Sequence, residues 1–372
     1  MKSVLLSVLS LPCIADVAAS GAGILRLKVW PGENLEPSRS FQRYDKQSTF
    51  SGNHRLALAG DRNFPIYTEI ALGTPPQFFR LILSTASSSL MVPNLLCSLK
   101  QCDGLSKYNS AASSTYKANG TKIGGSRSYH AFLSRDNMKL GDIEVPQQEF
   151  FEVTRIDPGL GGFDGYLGLA FPKLAHFGMT PPFYSLLNQG ALAEPVFTLR
   201  LPSPSGLGQI VFGGIDPVDH EGEISYVPIK RELFWELELN AAEVGNKKID
   251  LSDTTAIIDS HSPFIAMPKD MADLINRQIG AKMQTTERYT VDCRSIPELP
   301  DFKFWFGNFS LILKGEDYIL NFDDEGCVSA FIGEDVVLPE QGILWLVGRP
   351  LLRRWFTVYH VGRRMIGFAE PA

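Results

Sequence analysis

The sequence predicts an all-β protein built from two similar lobes, and three observations support this. Short runs rich in Val, Ile, Phe and Tyr alternate with turn-forming residues, and the chain contains 33 Gly and 24 Pro, a pattern typical of all-β proteins. A length of 372 residues favours two domains over one, since single cores stop growing at that size. The third observation is a stretch of thirteen residues that occurs twice.

The two copies of this stretch align without a gap. Residues 81–93 read LILSTASSSLMVP, and residues 256–268, which begin 175 positions later, read AIIDSHSPFIAMP. Each copy is an apolar strand that enters a hydroxyl-rich turn and leaves it as another apolar strand. At the turn the second copy carries an acid, Asp259, whereas the first carries Ser84.

The repeat resembles a family signature. Two copies of an apolar pair followed by Asp-Thr-Gly and a hydroxyl residue define the pepsin-like aspartic proteases, and this chain closely resembles the fungal vacuolar members of that family. The similarity runs through residues 55–372. Its motifs are YTEIALGTPPQ at 67–77, YKANGT at 116–121, FDGYLGL at 163–169, PPFYSLL at 181–187, VFGGIDP at 211–217 and LVGRPLLRRWFTVY at 346–359.

The resemblance implies a bilobal pepsin-like fold with two pseudo-twofold-related β lobes around a cleft. Residues 55–216 are predicted to form the N-terminal lobe and residues 217–372 the C-terminal lobe. In each lobe an apolar-apolar-Gly element follows the turn, 84 residues after the first turn and 89 after the second. In the family these elements hold the two turns face to face. The resemblance also implies a monomer that binds an extended peptide or protein segment in the cleft and uses no cofactor and no metal.

The N-terminus predicts entry into the secretory pathway. Residues 1–20 have the form of a signal peptide, with an apolar run at 4–11 followed by small residues. The alternative is a buried N-terminal strand. No later stretch contains the roughly 18 apolar residues that span a bilayer, so we expect a soluble mature protein, secreted or vacuolar, with no membrane partner. The net charge of −6 and the lack of a basic run argue against nucleic acid as a partner.

Residues 21–54 correspond to the prosegment that keeps relatives latent. In the family this segment lays a basic residue across the catalytic carboxylates, but no single basic residue here can be matched to that role. The alternative for this region is a disordered linker. The basic candidates are Lys28, Arg39, Arg43 and Lys46.

The cysteines are consistent with an oxidising compartment. Loss of the signal peptide removes Cys13 and leaves four cysteines, which allow three pairings. The local pairing, Cys97 with Cys102 and Cys293 with Cys327, is favoured because each bridge then lies within one lobe, and the resemblance implies the same pairing. A metal half-site at the first pair is the weaker alternative, since no His or second Cys pair lies nearby in the sequence.

Two sequons provide candidate glycosylation sites. Asn119 precedes Gly-Thr and Asn308 precedes Phe-Ser. Both match glycosylation positions of the vacuolar relatives.

The chemistry of the family requires an acid in both turns. Peptide hydrolysis uses a water held between two carboxylates that share one proton, one acting as base while the other donates to the carbonyl oxygen. Here only Asp259 is retained, and Ser84 occupies the position of the first acid. A hydroxyl is neither a useful base nor a group that shares a proton with Asp259. The sequence therefore predicts a catalytically inactive or strongly impaired homologue.

Other cleft positions depart from the family as well. Thr85, Ser87 and Ser262 keep the expected hydroxyls, and Ser260 aligns with Thr85. Ala86 and His261 replace the two turn glycines, whose lack of a Cβ leaves room for the water. Met91 stands where the family has Trp, and Arg349 where relatives have Asp. Between 119 and 136 the chain is about three residues shorter than its relatives, and we expect the flap hairpin, with its Tyr-Gly-Thr-Gly core, to be missing. Tyr129 does not align with the flap tyrosine.

Two alternative functions remain at this point. One is an active acid endopeptidase that hydrolyses proteins with Asp259 alone. The other is a hydrolase in which Ser84, His261 and Asp259 act as nucleophile, base and orienting acid. This second arrangement lacks an identifiable oxyanion hole.

Overall fold

The computed structural model describes eleven ranges of the chain. They are residues 24–29, 53–56, 58–59, 66–97, 100–124, 129–156, 163–201, 208–285, 288–322, 326–335 and 343–372. The predicted signal peptide, most of the prosegment-like region and the backbone at residues 125–128 lie outside them.

Strands dominate the described residues, as the sequence predicts. In the first part of the chain they are β1 (Ile24–Val29), β2 (Asn53–Leu56), β3 (Leu58–Ala59), β4 (Tyr67–Leu72), β5 (Gln77–Ser84), β6 (Leu90–Pro93), β7 (Lys117–Gly124), β8 (Tyr129–Leu140), β9 (Ile143–Ile156), β10 (Tyr166–Gly168), β11 (Val196–Arg200) and β12 (Gly208–Phe212). In the second part they are β13 (His220–Glu232), β14 (Trp235–Val244), β15 (Lys247–Ile258), β16 (Ile265–Met267), β17 (Lys282–Thr285), β18 (Arg288–Thr290), β19 (Phe302–Phe306), β20 (Phe309–Leu313), β21 (Ile319–Phe322), β22 (Gly326–Ser329), β23 (Phe331–Gly333), β24 (Ile343–Val347), β25 (Phe356–His360) and β26 (Met365–Pro371).

The helices of the described residues are short. The α-helices are α1 (Pro182–Asn188), α2 (Lys269–Gln278), α3 (Gly315–Tyr318) and α4 (Arg349–Arg354). Short 3₁₀ helices lie at Lys100–Cys102, Ser110–Ala112, Pro172–Leu174, His176–Gly178, Pro217–Asp219 and Cys293–Glu298. Within the described ranges, no helix is both long and apolar enough to cross a membrane.

Three sheets organise these strands. An eight-stranded sheet in the first half has the order β3-β4-β5-β10-β6-β9-β8-β7. A four-stranded sheet, β17-β18-β22-β21, belongs to the second half. The largest sheet runs β2-β1-β12-β11-β25-β26-β13-β14-β15-β24-β16-β23, with β19 and β20 branching from β14. It contains strands from both halves and therefore joins them.

Strand β1 lies in the region predicted to be prosegment-like, residues 21–54, and β2 begins at its end. The backbone of β1 pairs with β12 in antiparallel fashion and with β2 in parallel. The alternative reading of the whole region as a disordered linker is therefore wrong for these two strands.

An aromatic cluster packs where the two halves meet. Phe197 and Phe212 come from the first half, and Trp235 and Tyr359 from the second. The Phe197 ring stacks on Tyr359 with centroids 4.6 Å apart and meets the Trp235 ring edge-on at 5.6 Å. The indole N–H of Trp235 donates to the carbonyl of Leu169 at 2.9 Å. These buried rings supply a large apolar contact area between the two halves.

A hairpin occupies the position of the flap, which corrects the expectation that it is missing. Strands β7 and β8 pair in antiparallel fashion from Lys117 with Arg135 to Gly124 with His130. The pairing uses backbone groups of the two strands, so the hairpin forms in a sequence that has no Tyr-Gly-Thr-Gly core. Below it, Ala131, Leu133, Phe151, Val153 and Met179 form a separate buried cluster, against which Met91 and Ile123 pack.

Both predicted disulfides are confirmed. Cys97 is joined to Cys102 with their Cα atoms 6.1 Å apart, and Cys293 to Cys327 with their Cα atoms 5.3 Å apart. Each bridge lies within one half of the chain.

We expect the second disulfide to contribute more to stability than the first. It closes a separation of 34 residues, against 5 for the first, and in the chain-entropy model these loops correspond to about 4 and about 2 kcal/mol. The measurement is urea unfolding of a Cys97→Ser/Cys102→Ser variant and a Cys293→Ser/Cys327→Ser variant, beside the intact protein. A larger loss for the first variant would contradict the expectation.

Candidate active site

The two turns of the repeat face each other at the centre of the molecule. Strand β5 ends at Ser84, and the first turn, residues 85–89, leads into β6. Strand β15 ends at Ile258, and the second turn, residues 259–264, leads into β16. The topology around each turn is the same, as the repeat predicts. In each half the strand before the turn pairs in parallel with a later strand, which also pairs antiparallel with the strand after the turn.

Four reciprocal hydrogen bonds join the turns. The Thr85 hydroxyl donates to the carbonyl of Ile258 at 2.7 Å and accepts from the N–H of Ser260 at 2.9 Å. The Ser260 hydroxyl donates to the carbonyl of Leu83 at 2.8 Å and accepts from the N–H of Thr85 at 3.0 Å. Both side chains are fully buried. The network places Ser84 and Asp259, which each precede a bonded hydroxyl residue, at equivalent positions.

Two glycines let the later strands pass close to the turns. Gly168, which lies beside Ser84 in the sheet, has room for no Cβ, because that atom would lie 2.4 Å from Ser88 and Ser89 backbone atoms. Gly348 is equally confined, since its Cβ would lie 2.3 Å from the carbonyl oxygens of Ser262 and Phe264. These are the glycines of the two apolar-apolar-Gly elements.

The carboxyl of Asp259 is almost completely buried, with 6% of the residue exposed. One carboxyl oxygen accepts from the N–H of His261 at 2.9 Å. Burial raises the pKa of Asp259, while the N–H of His261, the charges of His261 and Arg349, and the N–H of Ser262 oppose the rise. The balance is a raised pKa, which favours the protonated acid in this site.

His261 places an imidazole in the cleft beside this acid. Its ring is half-buried and meets the ring of Tyr166 edge to face, with centroids 5.3 Å apart at an angle of 84°. Burial lowers the pKa of His261, Asp259 opposes that effect, and Arg349 adds to it. The Nδ1 atom is buried and has no hydrogen-bond partner among the described residues.

Arg349 is buried behind the second turn, with 1% of the residue exposed. It begins α4, and its N–H donates to the carbonyl of Ser262 at 2.9 Å. Its positive charge lowers the pKa of both Asp259 and His261. The second turn therefore combines an acid with a buried cation.

The predicted residues of the two turns fall into two groups by burial. Ser84, Thr85, Ser260 and Asp259 are buried in or beside the turns, whereas Ala86, Ser87, His261 and Ser262 are half-buried. Ala86 and His261 have ordinary negative φ values, since neither belongs to the positive-φ residues of the described chain. Their side chains therefore occupy space in the cleft without straining its backbone.

The predicted sequons lie away from the turns and are accessible. Asn119 is exposed on β7, and Asn308 is exposed in the turn between β19 and β20. The hydroxyl of Thr121 donates to the side-chain oxygen of Asn119 at 2.6 Å.

Sequence reasoning missed one cleft residue, Tyr166. Burial raises its pKa, and the charge of Asp259 raises it further, so the phenol lies within electrostatic reach of the retained acid. The only signal in the sequence was its place in the FDGYLGL motif, two residues before Gly168.

Over the described ranges, no group of three or more His, Cys, Asp or Glu residues has the geometry to hold a metal ion.

Comparisons with known proteins agree on the protein family that this sequence matches. The family model described as eukaryotic aspartyl protease matches residues 66–371. Vacuolar protease A of Aspergillus fumigatus is 39% identical over 85% of this chain and 81% of its own length, and that of Neurospora crassa is 38% identical over 86% and 82%. Cathepsin D of Chionodraco hamatus is 34% identical over 82% of this chain and 80% of its own length.

We expect the hydrogen bonds between the turns to be important for stability. Ser260→Ala leaves the N–H of Thr85 and the carbonyl of Leu83 buried without their partner, which should cost about 2–4 kcal/mol of unfolding free energy. Urea unfolding measures the loss. Ser114→Ala is the control, because that hydroxyl donates to a backbone carbonyl at an exposed site and should cost far less. Equal losses in the two variants would refute a special role for the network.

Asp259→Asn should change how stability depends on pH. Burial raises the pKa of Asp259 in the folded protein. The contribution of this residue to the free energy of unfolding is therefore fully present below its unfolded-state pKa of about 3.9, and it is lost as the pH rises through the folded-state pKa. The amide keeps an oxygen for the N–H of His261 but does not titrate. Relative to the wild type, the variant should therefore gain stability as the pH rises above the unfolded value of about 3.9. Melting curves across that range test this, and a relative gain towards acid pH would contradict it.

Proposed function

The chain belongs to the eukaryotic aspartyl protease family, and we propose that it is a member that binds an extended peptide in its cleft but hydrolyses it weakly or not at all. The observation that carries the proposal is the pair of equivalent turn positions. One holds the carboxyl of Asp259 and the other the hydroxyl of Ser84. A site built for two carboxyls therefore contains one.

The chemistry of the pair supports impairment. With two carboxyls a few Å apart, one stays ionised and takes a proton from water while the other keeps a proton to donate. Ser84 can neither take that proton at acid pH nor share one with Asp259. Positioned acid-base groups contribute roughly 10² to 10⁴ in rate, and the loss of one member of a joint unit usually costs more than that.

The scaffold for binding a peptide is retained. The two turns are held together by buried hydrogen bonds, and the β7–β8 hairpin stands at the position of the flap. The family to which the chain belongs acts on peptide chains, which supports an extended peptide or protein segment as the ligand. The protein is proposed to act as a monomer.

Residual acid endopeptidase activity through Asp259 is the second candidate. The names of the relatives and the raised pKa of Asp259, which favours a proton donor, support it. A Ser84–His261–Asp259 hydrolase receives less support. The imidazole packs against Tyr166, and its Nδ1 has no carboxylate partner among the described residues, whereas such a base requires an orienting acid.

We also propose that the protein is vacuolar or secreted. The relatives named vacuolar protease A and the signal-like residues 1–20 support this location. The exposed Asn119 and Asn308 are then acceptors for N-linked glycans.

The test is hydrolysis of a denatured protein at about pH 3 to 5, the range in which a shared-proton dyad works. Wild-type protein, freed of residues 1–54, should remain at background. Ser84→Asp alone should also remain there, because Ala86 and the His261 ring occupy the space of the water. The Ser84→Asp/Ala86→Gly/His261→Gly variant should exceed the single variant by about 10²-fold or more.

A matched control separates the removal of cleft bulk from a general effect of losing a histidine. The control variant is Ser84→Asp/Ala86→Gly/His220→Gly. It removes a different imidazole, whose ring stacks on Phe356 with centroids 5.3 Å apart, and its hydrolysis rate should stay at background. Robust wild-type turnover that a statine-type inhibitor abolishes would refute the proposal. Strong activity in Ser84→Asp alone would show that the missing acid is the sole defect.

A further inference from the structure

The ring pair of Tyr166 and His261 bridges the two halves of the cleft. Tyr166 lies on β10, opposite Ile82 and Met91 in the sheet register, and two residues before the glycine that lies beside Ser84. His261 belongs to the second turn. Their rings meet edge to face at 5.3 Å, so the contact joins the surroundings of the first turn to the second turn.

The same pair borders the carboxyl of Asp259. The N–H of His261 donates to that carboxyl at 2.9 Å. In addition to burial, the charge of Asp259 raises the pKa of the Tyr166 phenol. Both rings are half-buried, while the acid itself is 6% exposed. The two rings thus occupy space beside the one functional group that the site retains.

Packing, not hydrogen bonding, determines where the imidazole lies. Its Nδ1 is buried and has no partner among the described residues, so the contact with Tyr166 is the specific interaction of the ring. Edge-to-face pairs of this kind are stabilising beyond the area they bury. A ligand group that takes the place of the imidazole must therefore break this contact.

We propose, resting on the proposed peptide-binding function, that Tyr166 and His261 determine the specificity of the cleft. Their rings fill the space beside Asp259. The cleft then binds extended peptides whose residue facing Asp259 has a small side chain or none, and disfavours those with a bulky apolar side chain there. Shape complementarity sets this selection, since a packed interior does not admit extra methylene groups without displacement.

The experiment compares two synthetic peptides that differ at one position. Both carry a statine-type hydroxyl for Asp259. On the neighbouring carbon, the first has an isobutyl side chain and the second has only hydrogen. Because that carbon is one bond from the hydroxyl-bearing carbon, its substituent must lie close to the rings beside the acid. Dissociation constants are measured by calorimetry at about pH 4, near the ordinary Asp pKa.

In the wild type we expect the peptide without the side chain to bind about tenfold or more tightly than the isobutyl peptide. In His261→Gly, which restores space at an unstrained position, the isobutyl peptide should gain about tenfold or more, since a leucine-sized group is then buried. Tyr166→Leu should shift the ratio in the same direction and serves as the second variant if His261→Gly does not fold. Melting curves verify folding.

His220→Gly is the matched control. It removes an imidazole whose Nδ1 is likewise buried without a described partner, and whose ring stacks on Phe356 with centroids also 5.3 Å apart. This variant should keep the wild-type ratio. An unchanged ratio in both His261→Gly and Tyr166→Leu, with binding intact, would overturn the specificity role alone. Binding of neither peptide by any variant would overturn peptide binding, and the specificity role with it.

Discussion

The reciprocal hydrogen bonds between Thr85 and Ser260 are the constraint on which the rest of the structure depends. Each hydroxyl serves a backbone N–H and a backbone carbonyl of the opposite turn, so four buried polar groups are satisfied across the interface of the two halves. Neither residue is an acid. The two residues that hold the turns together are thus distinct from Ser84 and Asp259, which precede them, and the network is complete although only one of those two positions carries an acid.

The electrostatics of Asp259 depend on the fact that the equivalent position of the other turn, Ser84, carries no carboxyl. In a pair, the second carboxyl raises or lowers the proton affinity of the first through direct coupling. Asp259 lacks that partner, and its pKa depends on burial, on backbone N–H groups and on the charges of His261 and Arg349. Burial prevails, which leaves a single acid that favours its proton. Such a group can donate a hydrogen bond to a ligand, but it is poorly suited to activate water.

Most of the scaffold was predictable from the sequence, because local patterns carry it. The repeat aligned Thr85 with Ser260, and the number and placement of cysteines indicated both bridges. The expectation that the hairpin is missing is wrong, because the absence of a sequence motif does not imply the absence of a hairpin whose pairing uses backbone groups. The contact between Tyr166 and His261 was not predictable, because it joins residues from different halves of the chain and depends on the distance between the turns.

The glycines and the side-chain-bearing positions around the two turns differ in what surrounds them. Gly168 and Gly348 meet backbone atoms at distances that exclude a Cβ, so any side chain there would force the strands away from the turns. Ala86 and His261, by contrast, have ordinary φ values, and their side chains are half-buried in the two turns. Side chains at these two positions are therefore accommodated without backbone strain. The fold restricts side chains where strands and turns touch and admits them at the half-buried turn positions.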